Sequence, residues 1–209
     1  MRKLTLEDIA EILPGYPFRG ALRAQADGNA WAVQVRHVSS QEWLSIASDG
    51  QPEETPGVKL DRVMLGGRRQ PDYLRSSDVL FLARGSSNTA VLIEKIPEGT
   101  VCTPHFFLIR IRSEFRNCVA PGFLAWQLNH GEGRAAITAG RQGSLQPSVR
   151  KPELARVQLT LPPLQRQHSL VALYRACERE ASYMHALVHN RRREVNAVGQ
   201  ALLRADQTR

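Results

Sequence analysis

Between Leu164 and about Leu203 the chain contains no proline and a single glycine, Gly199, and this run follows directly on Pro162-Pro163. About 40 helical residues rise roughly 60 Å, more than the edge of a small domain can cover. The sequence therefore describes a globular domain, residues 1–163, handed over to one long helix, residues 164–209. The junction has a physical cause. Arg156 to Leu161 alternates polar and apolar residues as a half-buried strand does. Neither proline can donate to a sheet ladder, and each fixes φ near the value that a first helical turn needs. Along the helix, Leu170, Leu173, Cys177, Ala181, Met184, Val188, Val195, Val198 and Leu202 form a heptad-like seam with one stutter, interrupted where Arg191 takes an expected apolar place. A helix packed along its own domain is the plainer alternative. The length favours a coiled-coil helix with a partner.

Charge narrows the partner. The chain of 209 residues carries 28 Lys and Arg against 20 Asp and Glu, a formal net charge of +8. Residues 1–60 contribute 6 basic and 8 acidic side chains, and 61–209 contribute 22 and 12. A polyanion is the expected partner, with the later portion supplying most phosphate contacts. Cys102, Cys118 and Cys177 are odd in number and far apart, which argues against a disulfide framework or a cysteine zinc site and fits a reducing cytoplasm. The opening MRKLTLEDIAEI meets Glu7, Asp8 and Glu11 before any apolar run, unlike a signal peptide, and no uncharged apolar segment approaches membrane-spanning length. No membrane association is expected.

Within the domain, Leu4 to Leu13 spaces its apolar residues as a short amphipathic helix, with Thr5 as N-cap and Pro14-Gly15 as terminator. Strands are expected at Trp31 to Val35, Val79 to Ala83, Thr89 to Ile93 and Phe106 to Ile111, between turns at Asp27-Gly28-Asn29, Asp49-Gly50 and Pro97-Glu98-Gly99. Pro121 to Leu128 reads as a helix entered by proline. Gly131 to Arg150, rich in Gly, Arg, Gln and Ser, reads as a long loop with a short helix or strand in it.

The run LARVQLTLPPLQRQ, Leu154 to Gln167, closely resembles the end of a target-recognition domain in type I restriction-modification specificity subunits, where a strand, a Leu-Pro-Pro-Leu turn and a Gln open a long helix. Further stretches resemble the same family in order and spacing: LTLEDIAEILPGYPFRG from Leu4, YLRSSDVLFLARG from Tyr73, Phe106 to Ile111 followed by Pro121 to Leu128, and GRQGSLQPSVRKPEL from Gly140. The resemblance implies an α+β fold, a twisted mixed β-sheet DNA target-recognition domain with peripheral helices, followed by one long C-terminal coiled-coil helix. Full specificity subunits carry two such domains and two such helices, so one of each implies a half-subunit. The resemblance also implies double-stranded DNA as ligand, a DNA methyltransferase partner, a restriction or translocase subunit beyond it, and antiparallel pairing of helices. A half-subunit would achieve that pairing as a homodimer.

Reading bases requires Arg, Gln, Asn or Ser presented from a loop into a groove, because those side chains match the edge patterns of the base pairs. The segment Gly131 to Lys151 has that inventory in Arg134, Arg141, Gln142, Ser144, Gln146, Ser148, Arg150 and Lys151. Arg68 and Arg69, in a Gly-flanked turn, and Arg84, Ser86, Ser87 and Asn88 are the next candidates. Any of these residues could equally belong to a solvated basic loop. Arg191 to Arg193 reads as a solvated helix face.

Enzyme signatures fail. His185 and His189 have zinc-pair spacing, but Ala186 stands where a metalloprotease needs its general-base Glu. There is no Walker loop, no GxGxxG after a strand and no amino-methyltransferase motif. No cofactor, metal or catalytic residue is therefore assigned, Asp72 and Asp78 are read as shaping turns, and Cys118 is read as core. Two rivals remain: a metal-dependent DNA nuclease using Asp72 and Glu94, and a non-enzymatic coiled-coil scaffold.

Overall fold

The structure, a computed structural model, describes residues 2–18, 20–38, 42–46, 49, 58–66, 70–85, 87–139 and 148–206. The chain divides into two compact units, residues 1–168 and 169–209. The first begins with β1 (Arg2–Thr5), α1 (Leu6–Ile9), β2 (Ala10–Pro14), β3 (Ala30–Val33), α2 (Val35–Val38), β4 (Trp43–Ser45) and β5 (Asp61–Val63). It continues with β6 (Val79–Leu82), β7 (Ala90–Lys95), β8 (Thr100–Cys102), β9 (Phe106–Ile111), α3 (Pro121–Asn129), α4 (Gly131–Ala139), α5 (Lys151–Ala155) and β10 (Gln158–Leu161). Helix α6 spans Leu164–Asp206, 43 residues.

The central sheet has the order β2-β9-β6-β7-β4, antiparallel except for the parallel pair β4 and β7. A second sheet has the order β5-β3-β8, with β3 parallel to β8, and β1 pairs antiparallel with β10. The fold is the α+β arrangement of mixed sheets and peripheral helices that the sequence implied. Strand β6 explains the layering. All four of its residues are buried, because side chains alternate between faces and both faces are covered. Val79 and Phe81 join one core with Leu6, Ile9, Leu124, Leu128, Leu154 and Leu159, from the helices and the β1–β10 pair. Leu80 and Leu82 join a second core with Val33, Leu44, Ile93, Phe106 and Leu108.

The expected strands at Trp31, Val79, Thr89 and Phe106 are present within a residue or two, and the helix at Pro121 starts on that proline. One expected element is corrected. Leu4 to Leu13 is not one helix but β1, a single helical turn and β2. Tertiary pairing overrides its local pattern: Leu4 faces Leu159 of β10 and Ile12 faces Ile109 of β9, while Leu6 N–H donates to Val157 C=O at 2.9 Å. Thr5 does stand at the start of the turn, where the Asp8 carboxylate accepts from its N–H and its hydroxyl. The short helix or strand expected within Gly131 to Arg150 is a helix, α4, over Gly131–Ala139. Its contact residue is a glycine, since a Cβ on Gly133 would lie 2.3 Å from Gln127 O in α3. A glycine leaves no apolar periodicity to read.

Cys118 is exposed, not core, and its carbonyl serves the junction. Gln167, in the first turns of α6, is fully buried and the one buried residue among those described in that helix. Its Oε1 accepts from Ala120 N–H at 2.9 Å, and its Nε2 donates to Cys118 C=O and Pro162 C=O, each at 2.8 Å. One amide thus ties α6's start to the entry of α3 and to the end of β10.

Gln167→Leu keeps the volume but removes the partner of one buried N–H and two part-buried carbonyls, which should cost about 1–3 kcal/mol. The urea midpoint of the variant measures this. Gln200→Leu, on an exposed position of the same helix, should stay within about 0.5 kcal/mol of wild type.

Candidate nucleic-acid interface

The loop from Ala83 to Thr89 between β6 and β7 is built by bonds from three directions. Ala83 and Arg84 N–H both donate to His105 C=O, at 2.8 and 3.3 Å. On the other side Val149 N–H donates to Ala83 C=O at 2.9 Å, and Arg84 forms an antiparallel bridge with Ser148. From below, Asn88 Nδ2 donates to Leu82 and Ala83 C=O, and the guanidinium of Arg134 in α4 donates to Asn88 C=O at 2.8 Å and Ser87 C=O at 2.6 Å. The loop needs that hold because its backbone is unusual: Asn88 has φ 46° and Gly85 φ 140°, and few L side chains adopt either value.

These bonds bring Arg84, Ser87, Ser148, Arg150 and Lys151 to one edge of the domain. Arg84, Arg150 and Lys151 are exposed, Ser87 and Ser148 half-buried. Arg150 N–H donates to Glu153 Oε2 at 2.7 Å, fixing the start of α5 and leaving the Arg150 side chain outside that bond.

Two sequence-predicted contacts change role. The Asn88 side chain is fully buried and spent on two carbonyls, so it shapes the loop and does not present an amide to a groove. Arg134, half-buried, has its guanidinium bonded to the loop's carbonyls from beneath. Arg68, Arg69, Ser86, Arg141, Gln142, Ser144 and Gln146 lie outside the described residues. The segment following Arg69 leads to Tyr73 and Asp78, both bonded to Arg110 near the far end of β9. His105 stands just before the near end of that strand, so the structure does not bring Tyr73 to Asp78 into the Arg84 cluster. Asp78 shapes its turn as expected, accepting from Arg75 N–H at 2.7 Å, and its carboxylate holds the Arg110 guanidinium more firmly charged than usual.

In the second unit, Leu173, Met184, Val188, Val195 and Val198 are exposed, between 50% and 70% of their surface open. Cys177 is also exposed, Leu170 is half-buried, and the side chain of Leu202 is outside the described set. Arg191, in the seam, pairs with Glu194 one turn on at 2.9 Å. Tyr183, Leu187 and Leu203 are further exposed apolar residues that the seam count missed. Among the described residues no three His, Cys, Asp or Glu cluster as a metal ion would require, and no helix is long and apolar enough to cross a membrane.

No protein-family model and no curated protein matches the sequence. Solved structures do match the fold. The type I restriction-modification S subunit from M. genitalium aligns with a TM-score of 0.55 at 13% identity, over 92% of this chain and 42% of its own. The HsdS subunit from Thermoanaerobacter tengcongensis aligns at 0.55 and 21% identity, over 89% and 44%. A chain from a structure of type I R-M system assembly and conformational transition gives 0.55 and 16%, over 88% and 39%. This chain therefore has the fold of those S subunits and spans about two fifths of their length.

Arg134→Ala should lower stability by about 1–2 kcal/mol, the loss of a charged donor to two carbonyls discounted for partial exposure. Arg134→Lys should not restore it, because an ammonium cannot reproduce the fork. Urea unfolding of the two variants compares them directly.

Proposed function

We propose that this chain is a sequence-specific DNA-binding specificity subunit that directs a partner DNA methyltransferase, and with it a restriction subunit, to a bipartite target. The observation that carries the proposal is the fold likeness to type I S subunits over about nine tenths of the chain. The cationic edge at Arg84, Arg150 and Lys151 supports it, since phosphate contacts need exposed Lys and Arg near groove-reading loops. Residues 140–147, with Arg141, Gln142, Ser144 and Gln146, connect α4 to that edge and belong to the same proposed surface, as does Ser86; Arg68 and Arg69 are proposed as DNA contacts from a separate segment. The chain itself is assigned no catalysis: the proposal places the chemistry in the partner subunits. In this role it works in the cytoplasm.

Selection from a duplex library with a randomised core, using the full chain with its methyltransferase, tests the reading by whether one sequence is enriched. Lys151→Ala should then weaken binding to enriched and random duplexes alike and lower the salt slope of log affinity by about one.

The second part of the proposal concerns α6. Its exposed apolar seam pairs antiparallel with the same helix of another copy of this chain. Charge supports the direction, because parallel pairing in register would set Arg191 to Arg193 beside their own copies. Antiparallel pairing about Met184 to Val188 turns them instead towards Arg179, Glu180 and Ala181 of the other helix, a stretch with no net charge. The two-fold axis would impose inverted half-sites around an unread spacer. Leu173→Asp with Val188→Asp should reduce the mass in solution to one copy and abolish preference for the bipartite duplex, with the recognition unit's melting unchanged. A single copy per wild-type complex, or an asymmetric enriched site, would sink this pairing.

A further inference from the structure

The turn between β8 and β9, Thr103-Pro104-His105, is held on every side by backbone. Thr103 N–H donates to Val33 C=O at 3.1 Å, Phe106 N–H donates to Thr103 C=O at 3.1 Å, and Tyr16 N–H donates to Cys102 C=O at 2.8 Å. Gly15 N–H donates to Phe106 C=O at 3.0 Å, and a Cβ at Gly15 would lie 2.1 Å from Thr103 O, so that close approach is open to glycine alone. Pro104 adds a fixed φ. From the opposite side, His105 C=O receives the N–H groups of Ala83 and Arg84. The backbone of the turn is over-determined, while the Pro104 and His105 side chains are exposed.

That arrangement places an imidazole on a rigid support beside the segment that carries Arg84, which is itself bridged to Ser148 and leads on to Lys151. An imidazole offers both a hydrogen-bond donor and an acceptor, so it can match a base edge or a phosphate oxygen. With its backbone held on a fixed turn, only its two side-chain torsions remain to be ordered on binding. We propose that His105 is a DNA-contact residue, which makes the β8–β9 turn a third segment of the binding surface beside the β6–β7 loop and residues 148–151. The inference rests on the DNA-binding reading above. Sequence pattern offers no route to it, because Thr103-Pro104-His105 carries neither a glycine-rich loop nor a run of cations.

The test repeats the selection with full-chain wild type, His105→Ala and Arg84→Ala, each with the methyltransferase, and measures affinity for the wild-type consensus duplex. His105→Ala should bind that duplex about tenfold more weakly, or tolerate other bases at one position, with its melting temperature unchanged. The side chain can be removed without touching the backbone bonds of the turn, and circular dichroism verifies that. Wild-type affinity and consensus in His105→Ala overturn the proposal, whatever Arg84→Ala shows. If the wild type itself enriches no sequence, the DNA-binding reading fails first, and this inference with it.

Discussion

Side-chain amides latch helix α3 to three separate parts of the chain, and the rest of the domain depends on that latch. Gln127 donates to Thr160 C=O at 2.9 Å and accepts from Thr160 N–H at 3.0 Å. Asn129 makes the same reciprocal pair with Ala90, at 2.8 and 2.7 Å. Gln167 secures the other end of α3 through Ala120 and Cys118. An amide carries donor and acceptor together, so it satisfies the backbone groups of an isolated residue as a neighbouring strand would. No apolar residue can do this, and no charged one can without leaving a buried ion. The latch then propagates. With α3 fixed, Gly133 lets α4 approach Gln127, and α4 delivers Arg134 beneath Ser87 and Asn88. The exposed position of Arg84 is thus the last step of a chain that begins at two buried glutamines and an asparagine.

The two ends of β6 are treated differently, and the difference separates structure from surface. At its start, Asp78 is almost fully buried and bonded twice to Arg110. A buried ion pair of this kind adds little net stability against apolar packing, but breaking one half of it is costly, so it fixes how Tyr73 to Asp78 lies against β9. At its end, the chain leaves Leu82 into a loop held by main-chain bonds to His105 and Val149. Main-chain anchoring leaves side chains uncommitted. The same sheet therefore has one end closed by side-chain electrostatics and one end where Arg84 is exposed, which in the proposed role makes it available to DNA.

The parts legible in the sequence were those with local causes. The prolines at 121, 162 and 163 marked helix starts, β9 stood out as an apolar run broken only by Arg110, and α6 was visible from length alone. What stayed hidden was set by distant partners. Leu4 to Leu13 has a helical apolar spacing, yet β10 and β9 offered unpaired ladders, and strand pairing won. For α4 the sequence left open helix or strand and gave no bounds, because it packs through Gly133 and a single buried Ile137, leaving no stripe to detect. Within the candidate site, residue type was the only sequence signal. It could not separate Arg134, which holds a loop together, from Arg84, which the loop presents, nor see that Asn88 turns inward at a positive φ.

Helix α6 acts, in the proposed role, as a ruler whose accuracy lies in its imperfections. A seam of uniform apolar heptads would allow paired helices to slip by a heptad at little cost. Such a slip moves one helix past the other by about 10 Å. On duplex DNA that distance is about three base pairs, which with about ten base pairs per turn also rotates one half-site by roughly 100° around the axis. The second recognition domain would then face the wrong side of the duplex. The stutter in the seam and the charge at Arg191 both penalise slipped registers, because a shifted partner meets a gap or an unmatched guanidinium instead of an apolar side chain. In that proposed pairing Arg191, bonded to Glu194, would lower stability less than an unpaired charge, while still marking one register. A polar residue in the middle of an apolar seam thus exchanges affinity between helices for a fixed distance between half-sites, the quantity on which recognition of a bipartite target depends.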